Sequence, residues 1–221
     1  MQKEEGGKTL FVGLDESNNL ADFRTNREVI CAVFSCNPQD AENYSYSGRR
    51  GLREIGFMQE WFKEDKARDY RFALLANNEI RRFQPNTPYL ALELIESYLS
   101  FVEEKPINLY LVIDGLVTAE QRVYLSQHFL GFFENVSIKG LIKRRGASAR
   151  RKKDYRLEGP RLIQIADLLA YQIYYGYDLD QRGLTIEERE AHPKRVKVNE
   201  STLLRMIRAE KAVRIISSRH L

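Results

Sequence analysis

Cysteine is nearly absent from this chain. The 221 residues hold two, Cys31 and Cys36, within one predicted strand. At a rise of ~3.3 Å per residue they lie roughly 16 Å apart and point to opposite faces, too far to pair. A disulfide framework is excluded, and both read as reduced core residues. Histidine is also scarce: His128, His192 and His220 are scattered, and no Cys/His cluster has zinc-site spacing. No apolar run approaches the ~18 residues a membrane-spanning helix requires. The first residues, Met1–Lys8, carry no apolar leader. These absences lead to the expectation of a cytoplasmic protein with no membrane partner. Tryptophan occurs once, yet 12 Tyr, 11 Phe and a hydrophobic content of 43% supply a substantial core. The length suits one domain, or one domain with an appendage.

Charge is unevenly placed. Residues 143–153 carry seven basic groups and no acid, and residues 194–221 carry eight basic groups and two acids. Removing those surpluses of seven and six from the net +4 leaves −9 for the rest. An acidic body with two basic patches points to an anionic polymer, so nucleic acid is the expected partner. Within the first patch, Lys143, Arg144, Arg145, Arg150, Arg151, Lys152 and Lys153 are candidates to clamp a phosphate backbone without reading bases. The bland alternative is a solvated charge run.

Short runs rich in β-branched and aromatic residues predict strands at 9–16, 28–36, 70–76, 107–114 and 136–142. Helical patterns cover 52–66, 87–104, 118–130 and 159–175. Thr87-Pro88 resembles a helix start, and Thr118-Ala-Glu-Gln121 reads as a capping box. Residues 38–50 read as a loop. The Phe57/Trp61/Phe62 face reads as core rather than as a platform for stacking bases. Strands lead and helices then alternate with strands. This predicts an α/β fold with the ribonuclease-H-like order, apart from an extra helix between the second and third strands: a mixed five-stranded sheet flanked by helices. The division expected is a domain over 1–178 and a basic helical C-terminal extension over 179–221, with helix from 201 to 216. The extension's Leu203, Leu204, Ile207, Val213 and Ile216 offer apolar surface for a homodimer or a partner protein.

Carboxylates at three places in the chain sit against apolar sequence. Asp15 and Glu16 close Thr9–Leu14, Asp114 closes Ile107–Ile113, and Asp167 interrupts Leu162–Tyr171. An ionised carboxylate in apolar surroundings costs several kcal/mol unless it is paired or coordinates a cation. Together, Asp15, Asp114 and Asp167 make sense as ligands of a shared divalent metal, Mg²⁺ or Mn²⁺, which prefers hard oxygen donors. Glu16, on the opposite pleat, is a reserve catalytic acid. Gln164 lies one helical turn before Asp167 and could orient it, and Ser17 is a further supporting residue. Lys139 shares a strand face with Lys143 and could reach phosphates. Glu93 and Glu96 are candidates for a further acid. Each carboxylate also has an ordinary reading: Asp15 as the start of an Asx turn, Asp114-Gly115 as a strand-end turn, Asp167 as the partner of a buried Arg161.

Three segments resemble one family: Leu14-Asp-Glu-Ser-Asn18, Val112-Ile-Asp-Gly115 and Ile163-Gln-Ile-Ala-Asp-Leu-Leu-Ala170. They are similar to the motifs of the prokaryotic and phage domain-of-unknown-function family three-thousand-eight-hundred, regarded as ribonuclease-H-like. The family's Gly stands as Asn18 here. The resemblance spans roughly residues 9–176 and implies a nuclease-type site. The reading is then a metal-dependent phosphodiester hydrolase acting on RNA or DNA through two metal ions. The competing reading is the same fold serving as a catalytically idle nucleic-acid-binding or protein-interaction module.

Overall fold

The computed structural model describes residues 8–18, 27–48, 52–76, 87–141, 155–181 and 212–215. In chain order these form β1 (Thr9–Asn18), β2 (Arg27–Ser35), a short 3₁₀ turn (Pro38–Ala41), β3 (Asn43–Gly48), α1 (Leu52–Glu64), β4 (Asp69–Ala76), α2 (Thr87–Leu99), β5 (Asn108–Asp114), α3 (Ala119–Phe129), β6 (Asn135–Leu141), β7 (Tyr155–Pro160), α4 (Arg161–Gln181) and β8 (Ala212–Ile215).

The main sheet has the order β6-β5-β1-β2-β4-β8. β1, β2 and β4 form an antiparallel meander, while β5 runs parallel to β1 and β6 parallel to β5. The five strands β6-β5-β1-β2-β4 thus follow the ribonuclease-H-like order, and the fold is an α/β fold of that class. Strand alternation divides the core in two. Leu10, Val12, Leu14, Leu109, Leu111 and Ile113 face α2 and α3. Val29, Cys31, Val33 and Phe72 face α1 and α4. Cys31 and Cys36 are free thiols packed on opposite faces of the main sheet.

Three expectations need correction. The sheet has a sixth strand: β8 pairs in parallel with β4, although helix was expected over 201–216. Its Val213 and Ile215 are β-branched residues that favour strand, and the otherwise open edge of β4 offers unpaired main-chain groups to bind it. The C-terminal extension therefore returns to the main sheet at 212–215. Second, residues 43–48 are not loop. They pair with β7 in a separate antiparallel ribbon. Third, α2 stops at Leu99, with the Ser100 and Phe101 amides closing the last turn onto Glu96 and Tyr98 carbonyls. By contrast, the capping box of α3 forms as expected. Thr118 Oγ1 accepts from Gln121 N–H at 3.2 Å, and Gln121 Oε1 accepts from Thr118 N–H at 2.9 Å.

An ion-paired network that no sequence motif announces braces one edge. Asp40 and Arg68 are both buried. Arg68 grips the Asp40 carboxylate at 2.8 and 2.9 Å, and Ser35 Oγ (2.6 Å) and Trp61 Nε1 (3.1 Å) donate to it as well. The Arg68 guanidinium also donates to Trp61 O and Glu64 and lies 4.5 Å from the Trp61 ring centroid. Trp61 is thereby a core residue, fully enclosed with its N–H satisfied.

Candidate functional site

The site builds from the register of β1 against β5. The paired residues run from Thr9↔Asn108 to Leu14↔Ile113. The next residue of each strand is Asp15 and Asp114, so the two acids stand side by side, about 5 Å apart at the backbone. Leu14 and Ile113 point toward α2 and α3, so pleating turns Asp15 and Asp114 toward α4. Asp15 is 3% exposed. Its register partner on β2 is Cys31. Burial pushes the Cys31 thiol far up, and the Asp15 carboxylate raises it further. β1 continues to Asn18, so Asp15 does not start a turn. Asp114 does end its strand. Gly115 follows at φ 120°, its N–H donating to Leu141 O at 2.7 Å. A residue with a side chain rarely adopts that φ.

α4 covers this face because β1 admits it at Gly13. A Cβ at residue 13 would lie 2.6 Å from both the carbonyl carbon and the Cβ of Leu162. Asp167 is half-buried on α4, as is Tyr171 one turn further on. Asp15 and Asp114 therefore face the helix that carries Asp167. Among the described residues, however, no three His, Cys, Asp or Glu side chains group closely enough to hold a metal ion. The strand positions of Glu16 and Ser17 are described, but their side chains are not.

Gln164 is 1% exposed. Its Nε2 donates to Tyr44 O and, at 2.9 Å, to Gly159 O. Where the sequence suggested that it orients Asp167, its amide hydrogens instead tether the β3–β7 ribbon to α4. Arg161 pairs with Glu64 at 3.6 Å. Lys139 lies on the face shared by Tyr110 and Val112, its ammonium 4.9 Å from the Tyr110 ring centroid. That is the face of the two acids. Lys143, Arg144, Arg145, Arg150, Arg151, Lys152 and Lys153 lie outside the described residues. β6 ends at Leu141, the register partner of Asp114. Glu93 and Glu96 are on α2, across the sheet from Asp15, and Glu96 pairs with His128 at 2.7 Å. They cannot complete this site.

A cavity of about 430 Å³ opens at the opposite end of the strands, lined by Lys8, Cys36, Lys66, Arg68, Tyr98 and Glu104 among others. It is remote from the carboxylates. No helix among the described residues is long and apolar enough to cross a membrane.

No protein-family model matches the chain, and no curated protein matches it. Solved structures do. The Archaeoglobus fulgidus RNase HII structure, determined with PCNA, shows 15% identity, a TM-score of 0.40 and 83% coverage of both chains. The ribonuclease H2 of Pyrococcus horikoshii OT3 shows 14% identity and a TM-score of 0.36, covering 90% of this chain and 99% of that one. Bst-RNase HIII, in complex with Mn²⁺, shows 15% identity and a TM-score of 0.42, covering 89% of this chain and 65% of that one.

Proposed function

We propose that this protein hydrolyses phosphodiester bonds in RNA or DNA, aided by Mg²⁺ or Mn²⁺, at the carboxyl ends of β1 and β5. One observation carries the reading: Asp15 and Asp114 are adjacent in register on the two central parallel strands and face the helix that bears Asp167. Membership of the domain-of-unknown-function family named above is part of the same proposal and rests on its three motifs.

The donor chemistry fits such an ion. Carboxylate oxygens are hard ligands, and Mg²⁺ is commonly held by one or two carboxylates, with water and substrate phosphate completing its shell. Asp15 and Asp114 would hold it, with Asp167 and Glu16 as further candidates. When bound, the ion supplies Lewis acidity and lowers the pKa of bound water. The chain's own groups do the rest. Asp15 and Asp114 concentrate negative charge where a cation is needed. Lys139 places an ammonium on the same face, within reach of a phosphate. The basic run after Leu141 adds attraction for a polyanion.

A second reading has its own support. The described acids do not close into a three-ligand cluster, which favours an idle nucleic-acid-binding or protein-interaction module. Cleavage assays separate the two readings. Labelled RNA and DNA strands are incubated with Mg²⁺, with Mn²⁺ or with chelator, using wild type, Asp15→Asn and Asp114→Asn. The hydrolase reading expects ion-dependent cleavage that either substitution abolishes. Binding without cleavage under every condition supports the idle module, and cleavage that survives both substitutions removes this site.

A further inference from the structure

On the same side of the sheet, Tyr44 of β3, Phe57 of α1 and Arg161 of α4 meet in one patch. The Tyr44 and Phe57 rings are nearly parallel, at 15° and 6.1 Å between centroids. The Arg161 guanidinium lies 5.3 Å from the Tyr44 centroid and 5.5 Å from that of Phe57. Three planar groups are thus almost equidistant. Tyr44 and Arg161 are held in place: Tyr44 O accepts from Gln164, Arg161 N–H donates to Glu42 O at 3.1 Å, and the Arg161 guanidinium leans on Glu64.

Packing alone does not explain the patch. Trp61 and Phe72 are enclosed, whereas Tyr44 is 43% exposed despite being fixed. Two buried polar atoms beside it, Arg161 Nε and Gln164 Oε1, have no hydrogen-bond partner. They are one donor and one acceptor, on a single stripe of α4 at i and i+3. A buried polar group without a partner is uncommon and calls for an explanation.

We propose that Tyr44, backed by Phe57 and Arg161, is a stacking subsite for an unpaired nucleobase of a single strand. This deepens the proposed function and rests on its nucleic-acid reading. Every base has a π-face that an aromatic ring can cover, and arginine adds a cation–π contribution, so such a platform tolerates any sequence. Its placement suits a strand crossing the carboxylates. Arg161 and Asp167 are both half-buried on α4, about 9 Å apart along the helix axis. A base held on Tyr44 would fix the strand's register relative to Asp15 and Asp114. Duplex DNA, whose bases are stacked inside, has no free face to offer this site.

The test is binding of the full chain, in chelator to prevent cleavage, to a short single-stranded DNA and to an abasic strand of equal length and charge. Fluorescence anisotropy reads the affinity. Wild type should prefer the normal strand by about 5- to 150-fold, the range expected for stacking one base. Tyr44→Ala should lose that preference and still bind the abasic strand as wild type does, which also shows that the variant is folded. Tyr44→Phe should keep it. Equal wild-type affinity for the two strands, or a preference that survives Tyr44→Ala, overturns the stacking subsite and leaves the nucleic-acid reading standing. Absence of binding to either strand overturns the nucleic-acid reading together with the subsite. Tighter binding of free adenosine monophosphate than of the strand overturns the polymer assignment.

Discussion

Gly13 on β1 lies directly under the main chain of Leu162, with no room for a methyl group between them. This close approach seats α4 on the face that carries Asp15 and Asp114. It explains why a glycine interrupts an otherwise apolar strand.

Gly13→Ala is therefore an overpacking substitution against backbone, where the neighbour cannot rotate away. Such changes cost typically about 1–3 kcal/mol. Urea denaturation should show that loss as a lower midpoint with little change in slope. An unchanged midpoint would mean that α4 does not press on β1 at this point.

The Asp40–Arg68 pair gives a second prediction. Both side chains are almost wholly enclosed, at 1% and 4% exposed. Removing one partner leaves the other charge buried and uncompensated, at a cost of about 3–5 kcal/mol. Asp40→Ala should approach global unfolding near 37 °C, and a calorimetric scan reads it. Replacing both partners with apolar residues of similar volume should recover much of the loss. Equal damage from the single and double variants would refute the charge argument.

Stability should also fall in alkali through Cys31. Its thiol is raised by burial and by Asp15 from an ordinary value near 9. The folded state thus holds the proton after the unfolded state has released it. The stabilising contribution is complete below about pH 9 and declines as pH rises from there toward the folded value. Tyr98 has the same sign over a higher window, from 10 to about 12, chiefly because it is buried. Cys31→Ala should flatten the decline above pH 9, whatever its effect on stability at neutral pH. Denaturant midpoints across that range provide the check, and an identical alkaline slope in wild type and variant would disprove it.

A last prediction concerns the basic run. Replacing Arg144, Arg145, Arg150, Arg151, Lys152 and Lys153 with Ser should weaken duplex binding and flatten its salt dependence. The slope of log affinity against log salt changes by about 0.9 for each phosphate no longer neutralised. Titrations over a range of salt concentrations measure it. Unchanged affinity and slope would shift attention to the basic residues of 194–221.

Much of this protein was legible in its sequence because local chemistry decides it. Short apolar runs rich in β-branched and aromatic residues over 9–16 and 107–114 mark two central strands. Thr118 and Gln121 sit three positions apart, which is all a capping box needs. Asp15 and Asp114 stood out because acids at the end of apolar runs are costly. Long-range partners were not legible. Nothing local in Asp40 reveals that Arg68, 28 residues on, closes around it. Residues 43–48 contain Tyr, Ser and Gly and resemble loop until β7, more than a hundred residues later, pairs with them. Residues 212–215 become strand only because β4 presents an edge. Glu93 and Glu96 looked available until the sheet was seen to separate them from Asp15. The sequence by itself determined which short apolar runs become strands, which helix ends are capped and which acids are misplaced, since those depend on neighbours a few residues away. The tertiary structure alone decided which acids share a face, which strands form a second ribbon and which aromatic ring stays half in solvent. Those outcomes depend on register and on packing between segments far apart in the chain.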